Sequence, residues 1–262
     1  MRAATTASTL VLVLMVGLAA CGPASNATGC EVPSNVPIDG ALLWLKADCG
    51  VQAAADGKVT DWASIVGALH ALPAGPVFEP ILEPDGLAGQ PAIQFDGVFN
   101  RLDVDLRIDP SAHPDLTVVT VFASDVEDDV TLRKLYGADD GGYDRTVGID
   151  PRATMNYTIF GGTSGVLDYF ALSRETPYLT VDSFSSGAFD GWVNGAQALT
   201  GAPVAHGGGL PKFYLGGTGT VFLEPWSGPI AEMLVYGRTL TSDERVKVED
   251  YFADKYELRL DR

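Results

Sequence analysis

Apolar side chains recur at every second position in short runs along most of the chain, the period of a strand with one buried face. Leu102, Val104, Leu106 and Ile108 alternate with Asp103, Asp105 and Arg107. Similar runs fall at 41–47, 92–96, 116–123, 130–136, 157–160, 178–184, 188–193, 212–215 and 230–236. Turn signals separate them, among them Asp85-Gly86, Asp96-Gly97, Asp140-Gly141-Gly142, Gly161-Gly162, Asp190-Gly191 and Gly207-Gly208-Gly209. Many short strands at close intervals predict a sandwich or barrel. Asn194-Gly195 is the strongest hairpin signal, because both residues tolerate the positive φ of a type I′ turn. One segment changes period. Thr241-Ser242-Asp243-Glu244 reads as a capping box, and Val248, Tyr251, Phe252 and Tyr256 then share one helical face opposite Lys247, Asp250 and Asp254. This predicts a helix over 242–256.

The start of the chain follows neither period. Arg2 precedes an apolar run at 10–18 that Gly17 alone interrupts. That run is shorter than the roughly 20 residues a membrane span needs and has the length of a signal-peptide core. Leu18-Ala19-Ala20-Cys21 resembles the bacterial lipobox, so residues 1–20 are expected to be a lipoprotein signal peptide and Cys21 the acylated N-terminus. Acyl chains would then attach the protein to the bacterial cell envelope. Gly22, in place of an inner-membrane retention aspartate, favours the outer membrane in a Gram-negative cell. Residues 21–38, rich in Gly, Pro, Ser and Asn, read as a flexible tether, and 39–262 as one domain. Of three cysteines, acylation of Cys21 leaves Cys30 and Cys49 to form a disulfide in an oxidising compartment; the alternative is two free buried thiols.

Composition narrows the partners. The chain carries 17 Lys+Arg against 34 Asp+Glu, a net charge of −17. Loss of Arg2 with residues 1–20 would take it to −18. Such a surface is repelled by nucleic acid and by anionic head groups, so no nucleic-acid partner is expected and attachment rests on the acyl chains.

Two stretches resemble the LamG-like domains of the concanavalin A-like lectin/glucanase superfamily. The first comprises Leu42-Leu43-Trp44-Leu45-Lys46-Ala47-Asp48, Val59-Thr60-Asp61-Trp62 and Gly86-Leu87-Ala88-Gly89-Gln90-Pro91-Ala92-Ile93-Gln94-Phe95-Asp96-Gly97. The second is Gly228-Pro229-Ile230-Ala231-Glu232-Met233-Leu234-Val235-Tyr236 with Arg238-Thr239-Leu240-Thr241 and the helix. Between them, 189–195 is similar to the family's Asp-Gly…Asn-Gly hairpin. The polar loop common after the tryptophan is replaced here by 63–69. The resemblance implies an all-β, concanavalin A-like jelly-roll sandwich of two antiparallel sheets with one C-terminal helix. It also implies a surface module that binds a glycan or a protein through rim loops.

Candidate chemistry is sparse. Glucanases of that superfamily place alternate carboxylates on one strand, and no strand here carries that spacing. Glu127-Asp128-Asp129 lacks it, and Glu244 and Glu249 belong to the helix. His206-Gly207-Gly208-Gly209 has no Gly-x-Ser-x-Gly elbow to accompany it, and His70 and His113 are isolated loop residues without a zinc spacing. The chain is therefore expected not to be an enzyme, the alternatives being a glycoside hydrolase or lyase of the same fold, or a structural envelope protein. Asp125, Glu127, Asp128 and Asp129, with Asp139, Asp140 and Asp144, are candidate Ca²⁺ ligands on loops, unless the strand between them holds the two groups apart. Trp44 and Trp192 read as core and Trp62 as structural. Trp226, and more weakly Tyr143, are the candidates for a ring exposed to a sugar.

Overall fold

The computed structural model describes residues 30–127, 130–219 and 224–262. Residues 1–20, Cys21, Asp128 and Asp129 lie outside the described residues. In chain order the strands are β1 (Ala41–Lys46), β2 (Val51–Ala53), β3 (Val59–Ala63), β4 (His70–Pro73), β5 (Ile81–Leu87), β6 (Gln90–Asp96), β7 (Leu102–Val104), β8 (Leu116–Phe122) and β9 (Arg133–Gly137). There follow β10 (Thr146–Ile149), β11 (Tyr157–Phe160), β12 (Val166–Phe170), β13 (Tyr178–Ser185), β14 (Ala188–Val193), β15 (Ala196–Pro203), β16 (Phe213–Leu215), β17 (Ser227–Tyr236) and the helix α1 (Ser242–Tyr256).

The strands form two antiparallel sheets. The first runs β15-β14-β13-β8-β17-β6-β5, with β1 also on β17. Ten-residue β17 is shared along one edge: β6 takes Ser227–Ile230 and β1 takes Glu232–Tyr236. The second runs β12-β11-β10-β9-β16-β7-β4-β3-β2. Between them Trp62, Phe95, Phe122, Tyr136, Phe184, Phe213 and Ile230 form the main core. Asp182 of β13 crosses it, accepting hydrogen bonds from the Tyr136 hydroxyl at 2.6 Å and the Tyr169 hydroxyl at 2.7 Å.

A second apolar layer lies on the far side of the first sheet. Val119, Val121, Leu234 and Tyr236 meet Val248, Phe252 and Tyr256 of α1 there, together with Val36 and Trp44. Strand β8, buried at all seven positions, feeds both layers, which is why it reads as a continuous apolar run. Glu232 is the polar centre of this layer. Although wholly buried, it accepts from Trp44 Nε1 at 2.6 Å, Tyr251 Oη at 3.0 Å, Lys255 Nζ at 2.6 Å and Tyr256 Oη at 2.9 Å. Four donors satisfy the carboxylate and lock helix to sheet.

The local signals act as their chemistry dictates. Thr241 and Glu244 make the reciprocal capping box, and Asn194 and Gly195 sit at φ 47° and 83° between β14 and β15. Cys30 and Cys49 are disulfide-bonded, with Cα atoms 5.8 Å apart. Residues 30–38, expected as part of a tether, are held to the domain: Val36 is buried and the Pro37 carbonyl accepts from Tyr236 Oη at 2.6 Å. Two strand boundaries also differ. The alternating run from Leu102 leaves the ladder at Val104, because the Leu106 amide turns back to the Val104 carbonyl. Leu106 and Ile108 nevertheless stay in the core. The run at 130–136 pairs only from Arg133, and Val130 is 93% exposed.

Candidate functional site

Among the described residues no α-helix packs on the outward face of the second sheet. Alternation fixes what it shows. On β4, Ala71 is buried while His70 and Leu72 are exposed; on β7, Leu102 and Val104 are core and Asp103 faces out. On β16, Phe213 and Leu215 are core and Tyr214 takes the opposite side. Register aligns Tyr214, Asp103 and Leu72 in one row across three strands. The row borders a groove of about 420 Å³ lined by Leu69, His70, Leu72, Pro73, Asp103, Asp105 and Lys212.

Its polar groups are positioned by one another. Asp61 of β3 accepts from His70 Nδ1 through both oxygens, at 2.8 and 3.0 Å, which assigns a proton to Nδ1. Arg101 Nε donates to Asp103 at 2.8 Å, and Lys212 Nζ stands 3.9 Å from its other oxygen. The Arg101 guanidinium lies between the rings of Phe78 and Tyr214, 5.1 and 5.2 Å from their centroids. Burial and the Asp103 charge raise the Tyr214 phenol above its ordinary value. The result is an open trough with apolar Leu69, Leu72 and Pro73 beside fixed carboxylates, an imidazole and an ammonium.

Further along the same face is a second polar centre. Leu135, Ile149 and Ile159 enter the core, so Lys134, Asp150 and Phe160 take the other side. Lys134 Nζ is 3.3 Å from Asp150 Oδ2 and 3.8 Å above the Phe160 ring. Arg152 clamps Asp150 at 2.8 and 2.5 Å. Burial pushes Asp150 up, but Arg152 and Lys134 outweigh it and hold the carboxyl below the usual range; burial also lowers Lys134. Tyr143 is half-buried here, edge-on to Phe160 at 5.1 Å and accepting from Arg152 at 2.9 Å. It is a bracing residue of this centre.

The other expected residues fall elsewhere. Trp226 is wholly buried rather than exposed, stacked edge-on against Phe122 at 5.6 Å and Tyr157 at 6.4 Å; its amide bonds the Gly216 carbonyl, which turns the ring inward. His70 lies on a strand rather than in a loop. Among the described residues, Asp125 and Glu127 do not join Asp139, Asp140 and Asp144. Asp125 takes hydrogen bonds from Gln94 and Ser227 near the β6 end of β17. Arg133, at the start of β9, bonds the Gly97 and Pro225 carbonyls at that end, whereas Asp139 follows the far end of β9. Five residues of strand span about 16 Å. Glu127 lends only its carbonyl, to Asn156. Asp139 and Asp144 are tied within one turn, Asp139 accepting the Asp144 amide at 3.1 Å and Asp144 the Asp140 amide. Burial, with Asp140 and Asp139 nearby, pushes Asp144 up to about 6. Among the described residues no three His, Cys, Asp or Glu side chains are grouped to hold a metal; Asp128 and Asp129 of the expected Ca²⁺ set lie outside the described residues.

No family model matches the chain, and no curated protein does. Solved structures share its fold. A sialidase of Trypanosoma rangeli in complex with the inhibitor DANA aligns at TM-score 0.57 and 20% identity, over 88% of this chain and 35% of that one. Domain 4 of AbnA, a GH43 extracellular arabinanase of Geobacillus stearothermophilus, in complex with arabinotriose, aligns at 0.54 and 18%, over 80% and 97%. The HCR/D F1240A mutant aligns at 0.55 and 8%, over 82% and 52%. The chain thus spans about a third of the sialidase's length. These likenesses correct one expectation. Absence of a paired-carboxylate strand motif does not set the chain apart from enzymes, because enzyme chains carry this fold. What the neighbours have in common with this protein is the two-sheet sandwich.

Proposed function

We propose that this is a LamG-like, glycan-binding domain whose sugar lies in the groove across β4, β7 and β16. The observation that carries the reading is the pairing of Leu72 with Asp103 in the groove, which sets an exposed apolar side chain beside a carboxylate fixed by Arg101. A sugar ring presents the same pairing, C–H faces and hydroxyl edges. The sialidase in complex with DANA and the arabinanase domain in complex with arabinotriose support a carbohydrate ligand. The lipobox-like Leu18-Ala19-Ala20-Cys21 supports acylation at Cys21, which would hold the domain at the cell envelope.

Titration with a panel of neutral oligosaccharides including arabinotriose, followed by calorimetry and by product analysis, tests the groove. Saturable binding that Asp103→Asn weakens at least tenfold is the expected result. Binding unaffected by both Asp103→Asn and Leu72→Glu would remove the groove from the account. Intact mass of the mature protein, with a diacylglycerol adduct on Cys21, tests the anchor.

A further inference from the structure

At the rim of the sandwich lies a separate cavity of about 330 Å³, walled by Pro110, Pro114, Arg145, Ser185, Ser186 and His206. Segment 204–212 divides it from the groove, contributing His206 to one and Lys212 to the other. Arg145 begins at the edge of β10 and is 2% exposed. Its guanidinium donates only to carbonyls: Nη1 to Ile108 at 2.8 Å and His113 at 2.6 Å, Nη2 to Pro114 at 2.8 Å. Nε has no partner, and no described carboxylate forms an ion pair with the residue. Asp109, the nearest acid by charge, is committed to Arg107, Ser111 and the Ala112 amide; Asp115 acts only at a distance. A buried cation without a counter-charge is costly, and burial accordingly lowers Arg145 to about 10.

The other walls are complementary. His206 Nε2 meets the Phe160 carbonyl at 2.5 Å, so that nitrogen carries the proton and Nδ1 is an acceptor. Burial lowers His206 to about 4, keeping it neutral at pH 7. Ser185 and Ser186 add hydroxyls from the β13–β14 turn. The volume lies at the lower end of small-molecule sites, room for a single sugar unit rather than a chain.

We propose that this cavity binds the carboxylate of an acidic sugar residue, with Arg145 as the counter-charge and His206 and Ser186 meeting its hydroxyls. The site is distinct from the groove and stands without it. On a chain of net charge −17, selection for an anion needs a local cation shielded from the surrounding acids, and Arg145 has that setting.

The chain has only three histidines, which makes their ring protons a site-resolved probe. His206 reports the cavity and His70 the groove. The full-length protein is titrated with D-glucuronate and, separately, with D-glucose while the three rings are followed by proton NMR. A saturable shift of His206 with glucuronate, at least tenfold weaker with glucose and absent from His70, is expected. Arg145→Gln should abolish the preference for glucuronate. Ser186→Trp, which plugs the mouth and leaves Arg145 and its loop bonds intact, should abolish the shift in a protein of unchanged melting temperature. No His206 response, an equal response to glucose, or a response surviving Ser186→Trp would overturn the proposal. A His70 shift without a His206 shift would overturn it too, while leaving the groove reading in place.

Discussion

The two sheets expose outward faces of opposite character. The first sheet's face is finished: α1 and residues 30–38 cover it, and Glu232, buried beneath them, has four donors. The second sheet's face carries charges held in pairs and triads, Lys134 and Asp150 wholly buried and Arg101 and Asp103 nearly so, with Leu72 46% exposed beside Asp103. Strand alternation places polar groups outward on both faces; what differs is whether something packs on top. A buried carboxylate that has all its donors serves the fold, whereas polar groups fixed in an uncovered trough have unspent hydrogen-bonding capacity facing solvent. Function is therefore to be sought on the uncovered side and at the rim.

The sharpest way to break this contrast is on the finished face. Glu232→Ala strands the Trp44 indole N–H and two tyrosine hydroxyls under the helix, while Lys255 keeps Asp48 at 3.0 Å, and should cost about 3–5 kcal/mol of stability, read by urea denaturation. A loss below about 1 kcal/mol would mean the face is not locked by that residue. Between the sheets, Asp182 is pushed up to about 6 by burial, against the two tyrosine hydrogen bonds that lower it. Its folded value lies above the ordinary 3.8, so the folded state holds the proton more tightly. Its contribution is thus complete below about pH 4 and is lost as pH rises to about 6, a change of order 2–3 kcal/mol. Asp182→Asn should flatten stability over that window; an unchanged pH dependence would contradict the assignment. On the open face, Leu72→Gln should change stability by no more than about 0.5 kcal/mol while weakening oligosaccharide binding. A large loss of stability there would make the groove a packing surface.

How much of this was legible in the sequence follows from the range over which each feature is decided. The helix, its capping box and the Asn194-Gly195 turn are settled by neighbours within a few residues, and the chain spells them out. The stretches 42–48 and 228–236, which the sequence offered as a resemblance, include Trp44 and Glu232 and mark the finished face: both lie under α1 and bond each other. Trp226 shows the limit. An aromatic after Pro225 looks like an exposed loop residue, and only the pairing of its amide with Gly216 sends it inward. The groove was hidden for a different reason. His70, Asp103 and Lys212 meet because β7 inserts between β4 and β16, a pairing across more than a hundred residues of chain. Asp103 was visible as the polar phase of its run, but nothing local says which residues would sit beside it. Arg145 left no trace either, since an arginine that bonds only carbonyls has no partner residue type to betray it.

The disulfide between Cys30 and Cys49 sets the path of a mechanical load. Residues 30–38 are fastened to the body through the bridge, Val36 and Pro37. A pull applied at Cys30 is therefore delivered to Cys49, just past β1, and bypasses residues 31–38. With the bridge reduced, the same pull would peel Val36 and Pro37 off the finished face before it strained either sheet.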